Sequence, residues 1–176
     1  MPRLWSCWTT TTRSRRPPEA GLAAWSAAAL AALSLAACSP TAPPGVDKDE
    51  LDAAVSRAIG DPNSCVLIAR AGSGKVLYRY NTATTCAKQF PACDRPGLRG
   101  VDDLLKATAK DRQPRTLSCD TTADASRGVG WASGPIAGTD LVYAAMMEGD
   151  RAFPGRMMAD RLEGAFRRAK VSRPAP

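Results

Sequence analysis

The sequence predicts an α+β domain in which a five-stranded antiparallel sheet is flanked by an N-terminal and a C-terminal helix. Two pairs of strand-forming runs, each joined by a turn, predict hairpins, and apolar residues at helical spacing mark both ends of the folded part. Strands joined by tight turns pair antiparallel, and helices must cover the apolar face of such a sheet.

The first helix is predicted to begin at Asp47, which precedes Glu50 by three residues in the pattern of a helix N-cap, and to end at Gly60. Its apolar residues recur at helical spacing: Leu51, Val55, Ala58 and Ile59. Branched and aromatic residues then fill 65–70 and 75–80 on either side of a glycine turn, which predicts the first hairpin.

A second helix is predicted over 101–110 and a third strand over 115–119. The second hairpin joins 128–134 to 141–147. A final helix is predicted to open at Pro154. It has one apolar face, made of Met158, Leu162, Ala165, Phe166 and Ala169.

The first 37 residues have the features of an export signal. Basic residues precede a small-apolar run over 21–37, which is too short and too rich in alanine to predict a spanning helix. The run ends in Leu35-Ala36-Ala37-Cys38, which resembles bacterial lipoprotein signals. This resemblance implies cleavage before Cys38 and a diacylglycerol on its thiol. A plain signal peptide or a weak anchor with an incidental cysteine is the alternative.

Three parts are therefore predicted: a lipoprotein signal peptide at 1–37, a proline-rich tether at 38–46 and a single α+β domain at 47–176. Ser39 stands where an Asp would specify inner-membrane retention in that sorting pattern. The resemblance thus implies a lipid anchor in the outer membrane, with the domain facing the periplasm.

Composition excludes several functions. After removal of 1–37, 20 Lys and Arg residues oppose 16 Asp and Glu residues, a net charge of +4 without a basic run, so nucleic acid is not a predicted partner. The chain has no histidine, which excludes a Ser-His-Asp triad and a Cys-His pair. Gly72-Ser73-Gly74-Lys75 is only superficially like a phosphate loop because it links two strands, and no cofactor is predicted.

Four cysteines follow Cys38, and an even number in an oxidising compartment predicts two disulfides, for which three pairings exist. We expect Cys86 to pair with Cys93 across a short loop within 81–100, a polar stretch predicted to be irregular. We expect Cys65 to pair with Cys119 between two strands. A zinc site is the alternative. No two of these cysteines are as close in sequence as the paired cysteines of zinc sites, and no metal site is predicted.

The second hairpin carries a resemblance to a known family. Gly128-Val129-Gly130-Trp131-Ala132-Ser133-Gly134, followed by the run 143–150, resembles the last hairpin of the penicillin-recognising serine acyl-enzymes, the β-lactamases (class D most of all) and the D,D-transpeptidases. That fold also begins with a helix and a hairpin and ends with three strands and a helix. The resemblance implies a related sheet over residues 47–172.

The catalytic motifs of that family are not conserved in this sequence. Thr-Cys-Ala-Lys at 85–88 stands where Ser-x-x-Lys would fall, and Ser-Cys-Asp at 118–120 stands where Lys-Thr-Gly would be. Only residues 81–114 connect the second and third strands, so the inserted helical domain is missing. Carboxylates Asp102, Asp103, Asp120 and Asp124 stand at helix starts or turns, where capping is commoner than catalysis.

The leading hypothesis is a non-catalytic, lipid-anchored domain of reduced penicillin-binding type that binds peptidoglycan or an envelope protein. Trp131 and Tyr143 are the candidate binding residues, and an exposed aromatic patch beside Trp131 would support this hypothesis. One alternative is a minimal serine- or threonine-type hydrolase acting on peptidoglycan peptides or β-lactams, with Thr85, Lys88 and Ser118 as catalytic candidates. Another is a sensory domain of roadblock or PAS type, for which an apolar pocket between sheet and helices would be expected.

Overall fold

A computed structural model describes residues 42–173, which form an α+β domain with a five-stranded antiparallel sheet, and this confirms the predicted fold class. Its elements are α1 Lys48–Ile59, β1 Ser64–Arg70, β2 Val76–Tyr80, α2 Ala83–Cys86, β3 Gln89–Pro91, β4 Leu98–Gly100, α3 Val101–Asp111, β5 Arg115–Asp120, β6 Gly128–Pro135, β7 Leu141–Gly149 and α4 Gly155–Arg168. The strand order of the main sheet is β2-β1-β7-β6-β5, and β3 and β4 form a separate antiparallel pair.

Both predicted hairpins are present. The β1–β2 turn contains Gly72 and Gly74 at φ values of 75° and 66°, in the left-handed region that favours glycine. In the second hairpin β6 pairs with β7, and β7 also pairs with β1 along its length. The last strand therefore lies at the centre of the sheet, which explains why eight of its nine residues are buried without a polar alternation.

Helices cover both faces of the sheet. Alternate residues of β1 point to opposite faces, so Val66 and Ile68 pack with α1 and α4, whereas Leu67 packs with α3. The N-cap of α1 is the predicted one, because the Asp47 carboxylate accepts a hydrogen bond of 2.9 Å from the Glu50 amide. The sheet is thus enclosed between two apolar layers.

The structure differs from the sequence-based expectation in two stretches. Residues 81–100 were expected to be irregular but contain α2, β3 and β4, each only three or four residues long and too short to show a period. Residues 42–46 belong to the predicted tether, yet they form a turn in which Pro43 is buried and Val46 packs against the core. Residues 42–46 are therefore part of the folded domain and not of the predicted tether.

The predicted signal peptide, Cys38 and Ser39 lie outside the described residues. Within residues 42–173, no helix is both long enough and apolar enough to cross a membrane.

Candidate functional site

The four cysteines of the domain form two disulfides, as predicted, but the expected pairing was wrong. The bonds join Cys65 to Cys86 and Cys93 to Cys119, with Cα–Cα distances of 5.2 and 5.5 Å. Cys65 lies in β1 and Cys119 in β5, three strand intervals apart, or about 14 Å at the usual strand spacing. No disulfide can span that distance, so the strand order excludes the pairing expected from the sequence.

The structure does not bring the catalytic candidates at 85–88 together. Thr85 is half-buried at the end of α2, and its hydroxyl accepts a hydrogen bond of 3.1 Å from the Thr82 hydroxyl. Lys88 instead donates from Nζ to Asn63 Oδ1 at 2.8 Å. The lysine ammonium is therefore engaged by an amide oxygen and not positioned as a base for the threonine.

Ser118 lies on a different face of the sheet from Thr85. Leu117 and Cys119 pack with the α3 layer, which also contains Cys86 of α2. Because side chains alternate along a strand, Ser118 faces the α4 layer, where its Oγ accepts a hydrogen bond of 2.9 Å from the Gly155 amide. This bond satisfies one of the free amides at the start of α4. The serine hydroxyl therefore stabilises a helix start and is separated from both Thr85 and Lys88.

The two aromatic candidates are core residues. Trp131 is fully buried, and its Nε1 donates a hydrogen bond of 3.0 Å to the carbonyl of Pro91. Tyr143 packs edge-on against Phe166 with ring centroids 5.1 Å apart, and burial raises the pKa of its hydroxyl well above the usual value. Neither ring offers an exposed surface to a partner.

An open strand edge is the clearest binding feature of the domain, and sequence analysis did not identify it. Thr121 donates its amide to the carbonyl of Arg127 at 2.8 Å, in register with the β5–β6 pairing. Hydrogen-bonded positions alternate along antiparallel strands. The amides and carbonyls of Thr116, Ser118 and Asp120 therefore point away from β6, outward in the plane of the sheet.

These three residues of β5 are all exposed, whereas β2 at the other edge has no exposed residue. Among residues 42–173, no further strand or loop pairs with the outer side of β5. A row of free backbone donors and acceptors of this kind can pair with an added extended chain.

A groove of about 390 Å³ lies at the C-terminal end of this edge. Ser118–Asp120 and the start of β6 form one wall, and residues 152–154 before α4 form the other. A chain that paired with β5 would therefore leave the strand directly over the groove.

A second cleft, of about 410 Å³, lies at the other end of the domain. Ile136 of the β6–β7 turn and Phe166 of α4 form its apolar floor, with Arg167 and Arg173 at its rim. It lies at the end of α4 and not between the sheet and the helices, where a sensory domain would be expected to hold its ligand.

The glycine turn at 72–75 joins β1 to β2 and is not followed by a helix, so it does not have the geometry of a phosphate loop. In the part of the chain that the structure describes, no three His, Cys, Asp or Glu side chains are grouped so that they could hold a metal ion.

No protein-family model, curated protein or solved structure matches this chain.

Proposed function

We propose that this chain is an exported lipoprotein, anchored through Cys38, whose domain binds an extended peptide along the open edge of β5 and does not catalyse its hydrolysis. The observation that carries the proposal is the outward row of backbone groups at Thr116, Ser118 and Asp120, next to an accessible groove. Peptide stems of the cell wall are the partner chemistry that we favour.

Two features support the proposed export and membrane anchoring. All four cysteines of the domain are joined in disulfides, which persist in oxidising compartments such as the periplasm. The small-residue sequence before Cys38 resembles a lipoprotein signal. Outer-membrane sorting, from Ser39, is part of the same proposal.

The choice of a cell-wall peptide rests on the resemblance to penicillin-recognising enzymes. The described chain begins with a helix and a hairpin and ends with three strands and a helix, which is the element order behind that resemblance. The separation of Thr85 from Ser118 on opposite faces supports binding over hydrolysis. No observation favours the sensory alternative.

The lipid anchor is tested by metabolic labelling with palmitate. We expect label on the native protein, no label on Cys38→Ala, and full label on the matched variant Cys7→Ala, whose cysteine lies in the leader. Equal labelling of the Cys38→Ala variant would contradict the anchor.

Peptide binding is tested by co-sedimentation with purified peptidoglycan sacculi. Thr116→Pro removes one outward amide without breaking the ladder to β6, because proline is tolerated at a strand edge. We expect the dissociation constant to rise about fivefold or more, since one net hydrogen bond is lost and the ring obstructs the edge. Thr116→Val keeps the amide and is the matched control. Equal binding of both variants, or no binding of the native protein, would reject the site.

Hydrolase activity has a separate test. Purified protein is incubated with penicillin and weighed intact, and we expect no covalent adduct. An adduct mapped to Thr85 or Ser118 would replace the binding proposal with the acyl-enzyme alternative.

A further inference from the structure

The chain enters the domain at a recess that carries positive charge. This basic recess, of about 800 Å³, is bordered by the turn at 43–46, by the β6–β7 turn and by the segment after α4. Its charged residues are Arg70, Asp140, Lys170 and Arg173. Three cations thus oppose one carboxylate.

The two cations after α4 are available to a ligand. Asp140 is paired with Arg70 at 2.8 Å, whereas Lys170 and Arg173 take part in none of the ion pairs formed by residues 42–173. Arg112 does not line the recess, but its guanidinium donates at 3.0 Å to the carbonyl of Thr139, which does. Neither Asp47, Asp49 and Glu50 at the start of α1 nor Glu163 of α4 lines the recess. Glu163 lines the second cleft instead, where it is paired with Arg167 at 3.9 Å.

The length of the spacer limits the distance between the recess and the proposed anchor. Four residue steps separate Cys38 from Ala42, where the described chain begins. A fully extended chain covers about 14 Å in that number of steps. Since Pro43 and Val46 border the recess, a lipid on Cys38 would hold this end of the domain close to the bilayer surface.

An apolar cleft adjoins the recess. Arg173 borders both cavities, and Ile136 and Phe166 form the floor of the second one. The ion pair of Glu163 and Arg167 lines its wall. Cations that could bind a phosphate therefore lie next to an apolar surface that could contact the glycerol and the first methylenes of a lipid.

We propose that the basic recess binds the headgroup of an anionic phospholipid in the membrane that carries the anchor, and this rests on the proposed lipidation of Cys38. The lipid chains on Cys38 supply the affinity, and the recess sets the orientation of the domain. The C-terminal end of β5 lies at the opposite end of the sheet, about 27 Å away by the length of β7. Docking through the recess therefore directs the Asp120 end of the open edge away from the bilayer and towards the cell wall.

The test uses the lipoprotein purified from membranes and reconstituted into vesicles of phosphatidylcholine with or without phosphatidylglycerol. Amide hydrogen exchange over 137–141 and 169–173 is expected to be slower only when phosphatidylglycerol is present. Combining Lys170→Gln with Arg173→Gln should lower the docking constant by about 25-fold and abolish that protection. The control variant, Arg151→Gln with Arg156→Gln, removes the same charge from exposed positions at the opposite end of the domain. It should leave the protection from hydrogen exchange intact.

Equal protection in both vesicles, or equal loss in the two double variants, would overturn the proposal. The intact mass of the same preparation shows separately whether Cys38 carries lipid. If it does not, the unlipidated exported chain is sedimented with phosphatidylglycerol vesicles at low ionic strength. Sedimentation that the Lys170→Gln, Arg173→Gln variant loses would support the recess without the anchor, and no sedimentation would reject it.

Discussion

The indole Nε1 of Trp131, in the sheet, donates a hydrogen bond of 3.0 Å to the carbonyl of Pro91, in the separate β3–β4 pair. Pro91 lies two residues before Cys93, whose disulfide partner Cys119 lies on the strand next to that of Trp131. A buried ring and a covalent bond therefore fix one small hairpin to two adjacent strands of the sheet.

We predict that Trp131→Phe lowers the free energy of unfolding by about 2–4 kcal/mol. The smaller ring leaves a cavity at a fully buried position, and the carbonyl of the half-buried Pro91 loses its donor. Urea denaturation measures the change. Leu98→Ala, at an exposed apolar residue of the same hairpin, is the control and should change the value by less than about 0.5 kcal/mol. Equal effects would show that the ring does not hold the hairpin.

Digestion without reduction is expected to yield peptides that link Cys65 to Cys86 and Cys93 to Cys119. Replacing Cys93 and Cys119 with alanine should lower the free energy of unfolding by about 3–4 kcal/mol, because a loop of 26 residues is no longer closed in the unfolded chain. The fluorescence of Trp131 should report the loosened hairpin. A peptide that links Cys65 to Cys119 would contradict the strand order.

Local sequence patterns predicted the hairpins, whereas they do not determine the order of the strands in the sheet. The alternation within β5 and the glycine turn after β1 are visible in the sequence because they involve neighbouring residues. That β7 lies between β1 and β6 depends on contacts distant in sequence. The error in disulfide pairing followed directly, since it required β1 and β5 to be neighbours.

The candidate site shows the same limit. Ser118 was identified from its position in a motif, yet its importance in the structure is that it lies on a strand to which residues 42–173 supply no outer neighbour. Which strand is the edge cannot be read from alternation alone. The candidates Thr85 and Ser118 were likewise placed together by the order of elements, and the side-chain alternation of β5 separates them.

Stability should fall in acid partly because of Asp111. Hydrogen bonds from the Arg115 guanidinium and then from the Gln113 amide lower the pKa of the Asp111 carboxyl from 3.8 to about 2. A carboxyl whose pKa is lowered on folding stabilises the fold above its unfolded pKa, and this stabilisation is lost as the pH falls towards the folded value. The urea midpoint should therefore decline between about pH 4 and pH 2, and less steeply in Asp111→Asn.

The pKa of Asp111 can also be read directly from the NMR titration of its side-chain carboxyl. Arg115→Gln removes the main cause of the shift and should raise that pKa towards 3.8. A titration midpoint near 4 in the native protein would show that the ion pair does not form in solution.

Two glycines of α4 should respond in opposite directions to alanine. A Cβ at Gly155 would lie 2.2 Å from the carbonyl oxygen of Trp131 and 2.6 Å from that of Leu117, so the helix start would have to move off the sheet. We expect a loss of about 1–3 kcal/mol in the free energy of unfolding. At Gly164 the nearest atom is the end of the Arg168 side chain, at 3.3 Å, so alanine should raise the free energy by up to about 1 kcal/mol.

Chemical denaturation of the two variants distinguishes the effect of a steric clash with the sheet from the effect of helix propensity, because both positions lie in the same helix. Moving the start of α4 would also remove the Gly155 amide from Ser118, beside the groove. Gly155→Ala should therefore weaken binding to sacculi as well as stability, whereas Gly164→Ala should leave binding unchanged. Stabilisation by both variants would show that α4 does not begin in contact with the backbones of β5 and β6.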